Sequence, residues 1–180
     1  MSEFEYVAVL LSIVFGLAIT QLLSGAVRLF YEDRIDDVRL VWALVVALAL
    51  ITNWWSFFQW RDVEPWRFEL YAFLMVWATS HYALAASLFP RDLAGRVEPE
   101  REGKVFLVVF LVLFGVDIFE ASLRNALMSP WYFLPCMTSW ALAVLAALVV
   151  RRRWVERLAA WFMLLSILFF NWIARSLLQP

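Results

Sequence analysis

The chain has 180 residues, of which 64% are hydrophobic and 17% are charged, and its formal net charge is −1. A soluble domain of this length has too little interior to cover so much apolar surface, so the composition predicts an integral membrane protein. The near-zero net charge gives no reason to expect nucleic acid as a partner. One cysteine and one histidine exclude an internal disulfide and a Cys/His metal cage built by one chain.

Six apolar segments of 20–25 residues follow one another, each long enough for a helix to cross the roughly 30 Å hydrocarbon core of a bilayer. They comprise approximately residues 6–30, 40–60, 67–89, 105–128, 131–150 and 158–178. Their connections are short and carry proline and charge, and no low-complexity linker divides the chain. The sequence therefore predicts an all-α, polytopic membrane protein in which residues 1–180 form one transmembrane domain.

The distribution of basic residues predicts the orientation of these helices. Eleven of the fifteen Lys and Arg residues lie on the side of the first, third and fifth connections. By the positive-inside rule that side is cytoplasmic, so we expect both termini outside, in the periplasm. The first segment lacks a basic region and a small-residue cleavage site, and we interpret it as a span rather than a removable signal. Most tryptophans then fall near a membrane boundary, as in interfacial aromatic belts, with Trp60 in the outer belt and Trp42 in the inner one.

The first helix carries small residues at every fourth position. This row consists of Ser12, Gly16, Thr20 and Ser24. Such spacing is typical of a helix face that another backbone approaches closely, so we predict a packing role. The partner is either the fourth helix of the same chain or the first helix of a second copy. Gln21 and Gly25 lie roughly opposite this row, which indicates that protein covers both sides of the helix.

Three charged residues interrupt the fourth apolar segment, and they share one face. Asp117, Glu120 and Arg124 fall within about 60° on a helical projection. They follow ten residues without a polar side-chain atom, VFLVVFLVLF, so all the charge of this helix lies in the predicted outer half. An ionisable residue inside the membrane needs a partner or water, and it is a functional-site hypothesis by default.

Polar residues of two other helices are expected at the same depth. They are Asn53 and Gln59 in the second helix and Asn171 and Arg175 in the sixth. One interpretation is an outward, water-accessible vestibule lined by these residues with Asp117, Glu120 and Arg124, and closed below by apolar side chains. The alternative is ordinary interhelical hydrogen bonding, with Glu120 and Arg124 forming an i,i+4 pair that reaches the membrane surface.

The sequence predicts different partners for the two ionisable residues Asp117 and His81. Asp117 has no basic residue one turn nearer the cytoplasm, so we expect it to contact Arg175, Asn171 or Asn53, or to be protonated. His81 in the third helix is a candidate proton relay or pigment ligand. A neutral imidazole bonded to a backbone carbonyl, to Gln21 or to Thr20 is the favoured alternative.

Two segments are similar to a known group of proteins. They are the opening helix, FEYVAVLLSIVFGLAITQLLSG, and the tryptophan-rich NWWSFFQWRD of the second span. With them the chain resembles a group of short bacterial six-helix membrane proteins that have no assigned activity, and the similarity extends over the whole length. The resemblance implies six helices and a multi-pass location in the bacterial inner membrane. It implies no site residues, because the group has no assigned activity.

Enzymatic activity is the least favoured of three function classes. The Phe119–Arg124 segment is similar to the Glu-Glu-x-x-x-Arg motif of intramembrane CAAX-type proteases, but Phe119 replaces the first Glu and His81 precedes the motif. We predict no catalytic residues, no cofactor and no metal site.

The favoured function is cation or proton conduction, or small-solute transport, through the vestibule. The alternative is a non-catalytic scaffold or accessory subunit. Its first helix would dock to a membrane-protein partner or to a second copy of the chain, within membrane lipid.

Overall fold

A computed structural model describes residues 2–31, 36–62, 66–89, 99–124 and 132–177, with side chains described for 2–31, 36–61, 66–89, 103–124 and 132–173. Six long helices account for nearly all of this part of the chain, and none of it is strand. They are α1 (Glu3–Tyr31), α2 (Asp37–Ser56), α3 (Phe68–Leu88), α4 (Pro99–Leu123), α5 (Phe133–Val150) and α6 (Arg153–Leu177). The prediction of an all-α chain with six helices is confirmed.

Local side-chain chemistry explains where several helices start and stop. Ser2 and Glu5 form a reciprocal capping box at the start of α1, with hydrogen bonds of 3.2 Å and 2.9 Å between each side chain and the other's backbone N–H. The Asp36 carboxylate accepts from two backbone N–H groups in the first turn of α2. Arg151 adopts a left-handed conformation, with φ of 54°, and ends α5. As a result, only Arg151 and Arg152 separate α5 from α6.

The helix bounds differ from the apolar segments at three places. The α-helical part of α2 ends at Ser56, and the chain continues as a tighter 3-10 helix over Phe57–Asp62. Both α4 and α6 begin five or six residues before their apolar segments, because charged residues continue a helix beyond its hydrophobic part. Residues 125–128, expected at the end of the fourth helix, lie outside the described residues.

The helices form a closed ring in the order α1, α3, α4, α5, α6, α2, and α2 also contacts α3 across it. Every helix packs against the next one in the chain, as short connections predict. Two ion pairs join the beginning of α6 to the beginning of α2. Arg153 lies 3.0 Å from Asp36, and Arg157 lies 3.0 Å from Asp37. The arrangement leaves a space between α2, α4, α5 and α6 that contains the candidate site.

Four of the described tryptophans are buried in the bundle, and Trp140 is one of them, at 5% exposed. Trp42, Trp60 and Trp77 are each exposed by 1% or less. The expectation that Trp42 and Trp60 belong to interfacial belts is therefore wrong, because both side chains pack inside the protein. Other tryptophans do face outward, as belts require: Trp55, Trp154, Trp161 and Trp172 are exposed.

Five of the six described helices, all but α3, are long and apolar enough to cross a membrane. The many outward-facing apolar side chains on these helices fit an apolar surrounding. The α3 helix packs against α1, α4 and α2. These properties are consistent with a membrane protein.

Candidate functional site

Six of the seven predicted vestibule residues line one cavity of about 410 Å³ between α2, α4, α5 and α6. The seventh, Arg175, has a side chain outside the described residues. The cavity has a polar end, where α2 and α4 end and α5 begins. The polar end consists of the lining residues Thr52, Asn53, Ser56, Gln59, Asp117, Glu120, Arg124 and Asn171. The helical spacing of the charges on α4 places all three on the cavity face, as predicted.

Aromatic and aliphatic side chains form the rest of the cavity wall. Phe110 and Phe114 stack on α4 with ring centroids 5.0 Å apart. On the opposite side, Phe170 makes edge-to-face contacts with Tyr132 at 5.4 Å and with Trp140 at 5.8 Å. All five residues line the cavity. An apolar ligand surface would therefore contact ring faces and edges over much of its area.

Buried apolar residues of α2 and α4 lie away from the polar end of the cavity. Trp42 makes edge-to-face contacts with Phe106 at 5.3 Å and with Phe110 at 5.7 Å. Val38 and Val41 are buried beside Trp42 on α2. We call these five residues the apolar seal.

Glu120 and Arg124 form a bidentate ion pair. Arg124 Nε and Nη2 lie 2.7 Å and 2.8 Å from the two carboxylate oxygens of Glu120. The Trp60 indole N–H donates to Glu120 Oε1 at 2.7 Å, and Arg124 Nη1 donates to Gln59 Oε1. The Arg124 side chain is 8% exposed and the Glu120 side chain is 4% exposed. The i,i+4 pair is as predicted, but it is buried rather than extended to the surface.

The 3-10 helix explains how this pair is enclosed. Its tighter winding follows the end of α2 at Ser56, whose hydroxyl donates to Asn53 O. The 3-10 segment presents Gln59 and Trp60 to α4, and each contributes one hydrogen bond to the pair. A change of helix type therefore completes the polar end.

Asp117 has a different environment from Glu120. Its Oδ1 accepts from the Trp77 indole N–H at 2.8 Å and lies 3.6 Å from His81 Nε2. The Asp117 side chain is 14% exposed. Two of the partners expected from sequence are wrong. Asn171 instead bonds Thr52 and the backbone of its own helix, and the Asn53 amide bonds His81. The third, Arg175, has a side chain outside the described residues. The described partner comes from α3, which the sequence had not associated with this carboxylate.

His81 has a partner at each ring nitrogen, one in its own helix α3 and one in α2. Its Nδ1 lies 2.9 Å from Trp77 O, and its Nε2 lies 2.6 Å from Asn53 Nδ2. A carbonyl only accepts, so Nδ1 carries a proton and Nε2 accepts from the Asn53 amide in the neutral ring. The expected bond to a backbone carbonyl is confirmed. The Gln21 and Thr20 alternatives are wrong, since these side chains bond Phe89 O and Gly16 O.

Trp60 and Trp77 are the site residues that sequence reasoning missed. An interfacial aromatic belt is a sufficient explanation for a tryptophan at the position of Trp60, so the sequence provided no reason to expect its indole N–H to bond a carboxylate. For Trp77 a signal was present: the residue lies in the middle of α3, where no belt explains it, and one turn before His81. Both indoles donate to a carboxylate on α4.

The small-residue row on α1 does not pack against α4. Ser12, Gly16, Thr20 and Ser24 are all exposed, and a Cβ built on Gly16 meets nothing within 4 Å. The hydroxyls of Ser12 and Thr20 bond carbonyls of their own helix. The face used inside the chain is the opposite one, where Gln21 and Gly25 are buried. The intrachain alternative of the packing prediction is therefore wrong.

The described residues contain no group of three or more His, Cys, Asp or Glu side chains able to hold a metal ion. No protein-family model matches the chain, and no curated protein or solved structure matches it.

Proposed function

We propose that the chain is a multi-pass protein of the bacterial inner membrane that binds a small solute in its cavity and transports it. In this proposal both termini and the polar end face the periplasm. In this topology α3 is the sixth span, so an even number of crossings leaves both termini on one side. Five other helices of sufficient length and apolarity, and the one-sided distribution of Lys and Arg, support it. The apolar seal then lies toward the cytoplasm, so the cavity is an outward-facing vestibule.

A single observation carries the proposal: polar residues from α2, α4 and α6 converge on one cavity with an otherwise apolar wall. Its volume of about 410 Å³ lies within the roughly 300–1,000 Å³ of small-molecule sites. A few placed polar groups within apolar walls are the usual composition of such sites. Ordinary interhelical hydrogen bonding would not require the helices to separate around a cavity.

The cavity suits transport of a solute better than conduction of ions. Glu120 is neutralised by Arg124, so the charged face of α4 is not an acidic ring. The seal beyond Phe110 contains ring and valine side chains rather than a row of polar groups. Passage of a solute would require α2 and α4 to separate at the seal, as in alternating access.

A cavity-filling variant tests this proposal in proteoliposomes. Ala49 lines the cavity, and Ala49→Trp places a large ring inside it. We expect wild-type vesicles to take up at least one member of a panel of cationic, neutral and anionic solutes faster than vesicles with Ala49→Trp. A panel without any difference between the two proteins contradicts transport through this cavity. Far-UV circular dichroism and size-exclusion chromatography confirm that the variant is folded.

The exposed row on α1 supports a second candidate, a scaffold or accessory subunit. Gly16 leaves space at the surface of α1, so a neighbouring helix can approach this face closely. Gly16→Leu adds a side chain on this face, where a Cβ meets nothing within 4 Å. If α1 docks to a partner or to a second copy, the variant elutes as a smaller complex in mild detergent. An unchanged elution volume contradicts docking through this face.

A further inference from the structure

The charges of the cavity wall are not balanced within the described residues. Glu120 and Arg124 neutralise each other in a buried bidentate pair. Asp117 has an indole N–H as its hydrogen-bond partner and no Lys or Arg in contact in the described part of the chain. An ionised carboxylate in an apolar wall gains most from an opposite charge, because little water competes there.

His81 does not supply that opposite charge. Its Nδ1 proton bonds Trp77 O, and its Nε2 accepts from Asn53, so the neutral ring has both nitrogens satisfied. A second proton, on Nε2, would be repelled by the amide hydrogens of Asn53, whose Nδ2 lies 2.6 Å from Nε2 and donates to it. Among the described residues, the charged groups of the cavity wall are Asp117, Glu120 and Arg124. These three groups together have one excess negative charge when both carboxylates are ionised.

Asn53 adds a second acceptor beside Asp117. Both residues line the cavity, and both lie within 4 Å of the same His81 nitrogen. Because the Asn53 amide nitrogen points toward His81, its carbonyl oxygen Oδ1 is on the other side of the amide. No described residue donates to that oxygen. Two neighbouring acceptors, one of them charged, suit a ligand group with several N–H donors and a positive charge.

The aromatic wall favours the same class of ligand. Phe110, Phe114 and Phe170 present ring surfaces that attract cations and cover apolar groups. In the described part of the wall an anionic solute finds no equivalent partner, because Arg124 already contacts Glu120 and Gln59. A free metal ion is disfavoured by the absence of a three-ligand cluster among the described residues.

We propose that the cavity takes an organic ammonium ion, with its head between Asp117 and Asn53 and its apolar part along the aromatic wall. This inference rests on the proposed solute-binding function and specifies its substrate class. The volume of about 410 Å³ has room for a small primary or secondary amine with an apolar substituent.

Equilibrium dialysis of the full chain in detergent micelles, with empty micelles as background, tests the substrate class. The probes are 2-phenylethylammonium and its neutral analogue 2-phenylethanol, which share a shape and differ in charge. We expect the ammonium probe to bind wild-type protein about tenfold more tightly, since hydrogen bonds to charged groups contribute roughly that much. In Asp117→Asn, whose amide still accepts from Trp77, the preference is lost while 2-phenylethanol binds as before.

Two control variants separate the substrate class from the site. Glu69→Gln removes an exposed acid on α3 away from the cavity and leaves the preference unchanged. Ala49→Trp fills the cavity and abolishes binding of both probes. Equal binding of the two probes to wild-type protein, still blocked by Ala49→Trp, overturns the ammonium assignment and leaves the solute site intact. Binding of neither probe above the Ala49→Trp level overturns the solute site as well.

Discussion

The α1–α3 interface and the cavity between α2, α4, α5 and α6 are built in opposite ways. Along α1–α3 the helices approach closely: Phe15 packs on Trp77 at 5.5 Å and on His81 at 5.4 Å, and Gly25 lies against the Phe89 ring. In the other region, large rings and paired polar groups keep the helices apart around about 410 Å³ of space. Close packing makes the first region sensitive to shape, whereas charge neutralisation stabilises the second.

Trp77 links the two regions. One part of its side chain packs against Phe15 in the α1–α3 interface, and its N–H donates to Asp117 at the cavity. The interface thereby positions the donor that orients the carboxylate. A rigid support behind a binding group is the usual way in which a protein maintains site geometry. Four predictions test this division between shape and charge.

The largest effect is expected from Arg124→Met. The substitution leaves the Glu120 carboxylate buried without its cation, which typically destabilises a protein by about 3–5 kcal/mol. Unfolding in mixed detergent micelles, followed by far-UV circular dichroism, measures the change. The double variant Arg124→Met with Glu120→Gln removes the uncompensated charge, so it regains most of the stability. A double variant no more stable than the single one contradicts the charge explanation.

Gly25→Ala tests the close packing of the other region. A Cβ at this position overlaps the Cβ and ring of Phe89, so the backbone must shift, at a cost of about 1–3 kcal/mol. Gly16→Ala in the same helix is the matched control, because a Cβ there meets nothing within 4 Å. The control keeps or slightly raises stability, since Ala favours helix over Gly. Equal effects of the two substitutions on the thermal midpoint would falsify the asymmetry of α1.

Coupling between Trp77 and Asp117 tests the link between the regions. Trp77→Phe removes the indole donor, and Asp117→Leu removes the acceptor. A double-mutant cycle on the free energy of unfolding should give a coupling energy of at least about 1 kcal/mol, since a hydrogen bond to a charged group contributes about 1.5–3 kcal/mol. For comparison, the cycle of Asp117→Leu with Phe73→Leu, which removes an α3 ring that packs on Phe119, is expected to be additive. Coupling near zero in the Trp77 cycle means that the interface does not support the site.

The smallest effect is expected at the ion pairs between α6 and α2. Arg153→Gln removes a contact whose two side chains are 66% and 28% exposed, and exposed pairs contribute about 0–1 kcal/mol. Salt at about 1 M should remove the remaining difference from wild type, because it screens exposed charges. The destabilisation by Arg124→Met should persist at the same salt concentration. A salt-sensitive effect of Arg124→Met would show that water reaches the Glu120 pair.

Much of the polar end could be predicted from the sequence. The spacing of Asp117, Glu120 and Arg124 places them on one helix face, and the matching positions of Asn53 and Asn171 indicated a common depth. These inferences succeeded because they depend on helix geometry within single segments. The i,i+4 contact of Glu120 with Arg124 follows from the same geometry.

Three features could not be predicted because each pattern fits two environments. A row of small residues suits a helix partner or a lipid-facing surface, and the α1 row proved exposed while Gly25 proved buried. A tryptophan suits an interfacial belt or an interior donor, and Trp60 proved to be the latter. The partner of Asp117 depends on how α3 is rotated relative to α4, which no single segment encodes.

The sequence by itself determined the number and type of the helices, and it determined that the charges of α4 share a face. Both follow from the length of apolar segments and the 3.6-residue period, which are local properties. Only the tertiary structure decided that those charges divide into a neutral pair and a carboxylate without a cation partner among the described residues. That division depends on Trp60, Trp77 and His81, which reach α4 from other helices through the packing of the whole bundle.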